Sequence, residues 1–326
     1  MIRTVWSLAQ PAVSPSSPGD LTGEVVDQRQ PQSARRIGRS TQTLGRLPGV
    51  SVFFAVLSTI SIGLGEFFAG GVAKRTRANE VTSTMFVTGV VMMALITAVW
   101  PGDPDRSDLT FGALAGVANG VGILLLYFAY SRGSVRSAAP AAAVVMSAVP
   151  VVWDVIVSGV TPSVLSSFGI GLGVAAIAMS SYEPDDSGAG RAGLATAIAG
   201  GTVFGALLIL LSYIDSDAGG SALLVQRVVA LVVAVSVTRA TGPRIFPRDR
   251  RDLATSALIG VFATAAILLF VLALRGGSLS VVSVVSSQYA AVAVLLGVVF
   301  RGQRMWWWQG LGLVGASLAV ALIAVG

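Results

Sequence analysis

The sequence predicts an all-α integral membrane protein: ten transmembrane helices, arranged as two inverted five-helix repeats. Three observations predict it. The chain is 54% hydrophobic and only 12% charged, about half the charge of a soluble domain. Its apolar residues fall into runs of about 20, the length that crosses a bilayer. Two of these runs repeat one another 144 positions apart.

The repeat is read residue by residue. Asp108-Leu109-Thr110-Phe111-Gly112-Ala113-Leu114-Ala115-Gly116-Val117 is answered by Asp252-Leu253-Ala254-Thr255-Ser256-Ala257-Leu258-Ile259-Gly260-Val261. The match continues through Ile123-Leu124-Leu125 against Ile267-Leu268-Leu269 and ends at Gly133-Ser134 against Gly277-Ser278. Of the 27 positions from 108 to 134, 12 are identical. Shared composition would give roughly two or three, so the chain is internally duplicated.

Residues 1–48 come first. They are rich in Pro, Ser, Gln and Arg and lack apolar periodicity. Such a segment cannot offset its ordering entropy and is expected to be disordered. It has no apolar run of signal-peptide type, so no cleavage is expected. Ten spans follow near 50–71, 81–100, 109–130, 138–157, 164–182, 192–213, 220–239, 253–274, 280–300 and 305–325. Between them lie polar interruptions such as Lys74-Arg75-Thr76-Arg77, Pro101-Gly102-Asp103-Pro104-Asp105-Arg106, Glu183-Pro184-Asp185-Asp186 and Gly242-Pro243-Arg244. Hydrocarbon expels such segments, because unpaired charge and open backbone are costly there. The offset pairs spans three and four with eight and nine. That sets five helices per half, at 49–182 and 192–326, joined by a linker at 183–191. Five is odd, so the second half enters the membrane in the opposite orientation, and a site is expected between the halves near the midplane. The odd-numbered connections carry most of the basic residues, and the even-numbered ones only Arg106 and Arg275. The positive-inside rule then puts both termini outside, while Arg35, Arg36, Arg39 and Arg46 ahead of the first span argue the other way.

Composition also limits the chemistry. Cysteine and histidine are both absent, which removes a Cys/His zinc site, a thiol nucleophile and an imidazole base. The net charge of +6 is carried by arginines in tails and loops, a pattern that suits topology signalling and not nucleic-acid binding. No phosphate-binding loop, nucleophile elbow or acidic metal loop appears, so no cofactor, metal or catalytic residue is expected.

Ten spans in two repeats resemble the drug/metabolite transporter superfamily, specifically its EamA-like family. Ala129-Tyr130-Ser131-Arg132-Gly133-Ser134-Val135-Arg136-Ser137-Ala138 resembles that family's A-x-x-x-G/T-S-x-x-x-A passage from third helix to fourth. Ser147-Ala148-Val149-Pro150-Val151 resembles its S-L-x-P-V, and Gln226-Arg227-Val228-Val229-Ala230 its x-R-x-x-x-A. Gly169, Gly171 and Gly173, and Gly310, Gly312 and Gly315, sit where each fifth helix of the family carries spaced glycines. Gly65-Glu66-Phe67-Phe68-Ala69-Gly70-Gly71 resembles a G-x-D/E-F-x-x-G of the first helix. The likeness covers about residues 50–326. It departs before the fifth helices, where Gly159-Val160-Thr161 and Gly302-Gln303-Arg304 stand in place of Gly-Glu-Arg. The resemblance implies a ten-helix exporter or importer of metabolites or drugs, often proton-driven, in the inner membrane of a cell.

Several in-span residues are candidates for binding substrate or ion. Glu66 is a carboxylate inside the first span, a functional hypothesis by default; its bland reading is pairing with Lys74 or Arg75. Asp154 follows Trp153 in the fourth span and is either a second cavity carboxylate or interfacial. Arg227 lies seven residues into the seventh span. It either pairs with Glu66, Asp154 or a substrate carboxylate, or snorkels to the interface. Asn119, Tyr127, Tyr130, Tyr213, Gln288 and Tyr289 are cavity-lining candidates, with interface anchoring or helix bridging as the alternative. Trp306-Trp307-Trp308 reads as an aromatic-belt anchor, three indoles pointing in three directions around a helix.

The expected function is secondary transport of a small molecule by alternating access, with H⁺ as coupling ion taken up by Glu66 or Asp154. Its partners are the lipid bilayer, a small-molecule substrate and H⁺, and no nucleic acid. The alternative is a membrane-embedded enzyme or lipid-handling protein, which would need a cluster of His, Asp or Glu at one membrane face.

Overall fold

A computed structural model describes residues 48–132, 135–158, 163–181, 188–302 and 306–325. The expected N-terminal tail, up to residue 47, residue 182 at the end of the first repeat and residues 183–187 of the expected linker lie outside it. The described residues are helical, with one short 3-10 turn at Ser216–Ala218 and no strand.

The first half holds α1 (Pro48–Val72), α2 (Ala78–Val99), α3 (Arg106–Arg132), α4 (Val135–Ser158) and α5 (Val164–Ser181). The second holds α6 (Gly188–Ser212), α7 (Ser221–Thr241), α8 (Arg250–Leu274), α9 (Leu279–Ser287), α10 (Tyr289–Arg301) and α11 (Trp307–Val325). The end of the expected linker, 188–191, is already helix. Among the described residues, eight crossings are long and apolar enough to span a membrane, with α9 and α10 together making one of them.

Local chemistry explains several boundaries. Asp249 caps α8 by accepting the N–H of Arg251 at 2.9 Å. Gly302 ends α10 at φ 59°, the left-handed conformation a helix-terminating glycine supplies. The ninth expected span is interrupted at Gln288, which separates α9 from α10. The Thr59 hydroxyl of α1 lies between the Ala55 carbonyl of its own helix at 2.9 Å and the Val285 carbonyl at 2.8 Å, sharing one proton, and the Gln288 N–H reaches the Val285 carbonyl at 3.2 Å. A foreign donor entering the ladder is a standard cause of such a break.

The packing partners exchange in pairs when the halves are swapped. α3 packs on α6 and α7, while α8 packs on α1 and α2; α4 packs on α6, while α9 and α10 pack on α1. α5 lies against α11 and α2 against α7. Small residues permit these approaches. A Cβ on Gly116 would stand 2.6 Å from the Gln226 carbonyl oxygen of α7, and one on Gly112 2.6 Å from that of Ala222. The four-residue spacing of Gly112, Gly116 and Gly120 thus forms the α3 face that α7 meets closely.

Contacts at the two ends fix helix directions. At one end the Asp103 N–H donates to Asp217 at 2.8 Å and the Gly220 N–H to Trp100 at 2.9 Å. Here α2 and α6 finish while α3 and α7 start. At the other end Asn79 donates to Thr241 at 2.5 Å and Arg75 pairs with Asp252 at 3.0 Å. Here α1 and α7 finish while α2 and α8 start. Each of α1, α2 and α3 therefore runs opposite to its counterpart α6, α7 or α8.

Candidate functional site

An apolar space lies where the two halves face each other. Its walls come from α1, α3 and α4 and from their counterparts α6, α8 and the α9–α10 pair. In the 144-residue register, Asn119, Ile123 and Leu126 of α3 match Ala263, Ile267 and Phe270 of α8, and all six line it. The cavity gives about 80 Å³ to the centres of water-sized molecules, room for several waters or one small organic group.

Of its sixteen lining residues, only Glu66, Asn119, Ser286 and Tyr289 carry polar side-chain atoms. Glu66 is 5% exposed. Its Oε2 has no protein hydrogen bond, nor have the Asn119 Nδ2 and the Ser286 hydroxyl. Such groups are costly in hydrocarbon unless they meet a ligand or water. Three buried phenols, Tyr127, Tyr130 and Tyr289, lie within electrostatic reach of the carboxylate. The Tyr130 hydroxyl is near enough to interact with Glu66 but completes no hydrogen bond of normal geometry. Its ring stacks on Tyr127 with centroids 6.0 Å apart, and the Tyr127 hydroxyl turns away to the Met85 sulfur at 3.6 Å.

Glu66, Asn119 and Tyr289 thus share one cavity, with Tyr127 beside it. The other candidates stand elsewhere. Tyr213 is half-buried at the end of α6, accepting from the Trp153 indole at 3.2 Å and stacking on Phe111. Gln288, at the helix break, borders a separate small cleft against α4 and α11. The Asp154 side chain lies outside the described residues. Arg227 neither snorkels nor reaches Glu66. It is 1% exposed, donating to the Ala263 carbonyl at 2.6 Å with its guanidinium 5.9 Å from the Phe86 ring centre. Seven residues into α7, its Cα is already inside the packing of α2 and α8, and Gly89 leaves the side chain its space. The bland reading of Glu66 also loses a partner, since Arg75 pairs with Asp252. Trp306 and Trp308 stack at 4.7 Å because Trp306 precedes the helix, so they do not point in separate directions.

Ser286 is not among the residues the sequence singles out; its spacing of three from Ser283 puts two small hydroxyls on one helix face. Sequence reasoning also missed the roles of Asp108 and Asp252. Extending the repeat three residues upstream exposes them: Asp105-Arg106-Ser107-Asp108 is matched by Asp249-Arg250-Arg251-Asp252.

The fold is that of a multi-pass membrane protein, all helical where described, with a buried carboxylate on a cavity between two sets of helices. Residues 49–182 match the EamA-like transporter family, part of the drug/metabolite transporter superfamily. No curated protein matches the chain in sequence. Among the matching solved structures is one titled "Crystal structure of protein", at a TM-score of 0.63 and 12% identity. That alignment covers 85% of this chain and 96% of the other, a likeness of fold.

Proposed function

We propose that this chain is a secondary transporter of the cell membrane, with ten spans forming inverted halves at 49–182 and 192–326 that rock around the central cavity. The family match over the first half, the reciprocal packing and the antiparallel run of α1–α3 against α6–α8 support that reading. The observation that carries it is Glu66: a buried carboxylate with an unpartnered oxygen, on a cavity walled by equivalent positions of both halves. A coupling carboxylate needs that position, where one group can exchange a proton for a substrate.

The lining suggests the substrate class. It is hydrocarbon apart from four residues and includes no basic side chain. Its complement is a small molecule with an apolar body and one basic nitrogen, the nitrogen on Glu66 and an acceptor group on the Asn119 amide. H⁺ and this cation would then compete for one carboxylate, giving exchange of one for the other.

The test is transport by reconstituted full-length protein of a panel of small lipophilic amines and their neutral isosteres, with and without a pH gradient. Amines accumulated only with the gradient, and isosteres not at all, would support both parts. Gradient-independent or absent movement of every compound would overturn the coupled transporter, while accumulation of anionic or neutral metabolites alone would overturn the substrate class.

A further inference from the structure

Asp108 and Asp252 occupy equivalent positions in the first turns of α3 and α8, and both are buried, at 2% and 5% exposure. A first-turn aspartate ordinarily serves the free N–H groups of its own helix. In both repeats the aspartate three residues earlier already does so. Asp105 accepts the Asp108 N–H at 2.8 Å, and Asp249 accepts that of Arg251 at 2.9 Å.

The later aspartate of each pair reaches across to the opposite half. Asp108 Oδ1 accepts the backbone N–H of Asp215, just past α6, at 2.9 Å; its Oδ2 stays local, on the Asp105 N–H at 3.0 Å. Asp252 accepts from Arg75 at 3.0 Å and from the Thr76 hydroxyl at 2.6 Å, just past α1. The two contacts lie at opposite ends of the bundle. The helices they join, α3 with α6 and α8 with α1, are four walls of the Glu66 cavity.

We infer that Asp108 and Asp252 are positioning residues for the transport cycle, each a latch that closes one end of the cavity, released in turn. The inference rests on the alternating-access reading above. It accounts for a repeat that keeps both aspartates of a capping pair where one suffices for the cap. It also predicts a chemical difference between the ends. Arg75 is half exposed, its side chain at 55%, so salt weakens that latch. The Asp108 latch pairs a carboxylate with an amide and has no second charge for salt to screen.

The chain has no native cysteine, so Leu208→Cys on the cavity wall supplies a single thiol. Its labelling by a membrane-impermeant maleimide is measured in intact cells and in inverted membrane vesicles. Loosening the ionic latch by Arg75→Gln with Thr76→Val should raise labelling from one side about tenfold, the worth of a charge-assisted hydrogen bond. Asp108→Ala should raise it from the other side by a similar factor. Because Asp108→Ala risks the fold, Asp215→Pro gives a second route. Asp215 sits at φ −66° and ψ 151°, which proline adopts while lacking the donated N–H. High salt should reproduce the Arg75 effect on its side alone. Gains on the same side, or none with the thiol reachable in the parent, overturn the latches and leave alternating access standing. A thiol reached from neither side in the parent and every variant overturns alternating access, and the latches with it.

Discussion

Glu66 and Arg227 are both charged residues deep within apolar helices, and neither forms an ion pair among the described residues. Their surroundings differ. Glu66 faces a cavity with one oxygen unmatched. Arg227 does not line that cavity; it is wedged between helices, holding the Ala263 carbonyl and an aromatic face. Depth alone therefore does not separate a working charge from a structural one. Access to a space that a ligand or proton can enter does. Ala263 makes the contrast sharp, since it lines the cavity while its carbonyl is held by Arg227.

The largest effect expected is at Glu66. Glu66→Gln keeps the shape and removes the carboxylate that proton and amine share, so gradient-driven accumulation should vanish and amine exchange should fall with it; normal accumulation would end the coupling role and leave Asp154 as the next carboxylate to test. Arg227→Met, measured in the same assay, should accumulate as well as the parent. It should also melt higher, by up to about 2 kcal/mol, because a solitary buried charge is replaced by a well-packed thioether; lost accumulation would erase the distinction drawn above. Asn119→Leu belongs on the Glu66 side of that line. Binding isotherms should show substrate affinity about tenfold weaker, with folding stabilised by about 1 kcal/mol as an unmatched amide is removed; unchanged affinity would take Asn119 out of the site. The smallest change is Ser58→Ala, which deletes a hydrogen bond to the Ala266 carbonyl. Thermal melts should fall by about 0.6 kcal/mol with transport untouched.

Sequence carried the helices well, because twenty-residue apolar runs and short polar breaks are set by the bilayer itself. It placed Glu66 inside an apolar run, between Gly65 and Phe67, but left pairing with Lys74 or Arg75 open; that the carboxylate borders a cavity is seen only once the helices are packed. Sequence leaves Arg227 open between pairing and snorkelling, because it gives the distance from the helix start and not how much neighbouring helix overlaps that turn. The break at Gln288 carries neither Pro nor Gly; beside it the Val285 carbonyl meets the Thr59 hydroxyl, 226 positions away in the chain, a contact that sequence cannot show. Tyr127 and Tyr130 read equally as interface anchors until the packing of α1 against α3 was in view.

The cavity has symmetric walls and an asymmetric interior. Ile123 and its twin Ile267 both line it, but Asn119 answers to Ala263 and Leu126 to Phe270. Duplication made two interchangeable cradles, and substitution then gave the shared space a head and a tail. In the cycle proposed above, a molecule moored by its nitrogen at Glu66 would not somersault while the walls rock about it. It would cross the membrane like a passenger who keeps the same seat, entering one end first and departing the other end first. Discrimination on entry and on exit would then fall to opposite ends of the same molecule.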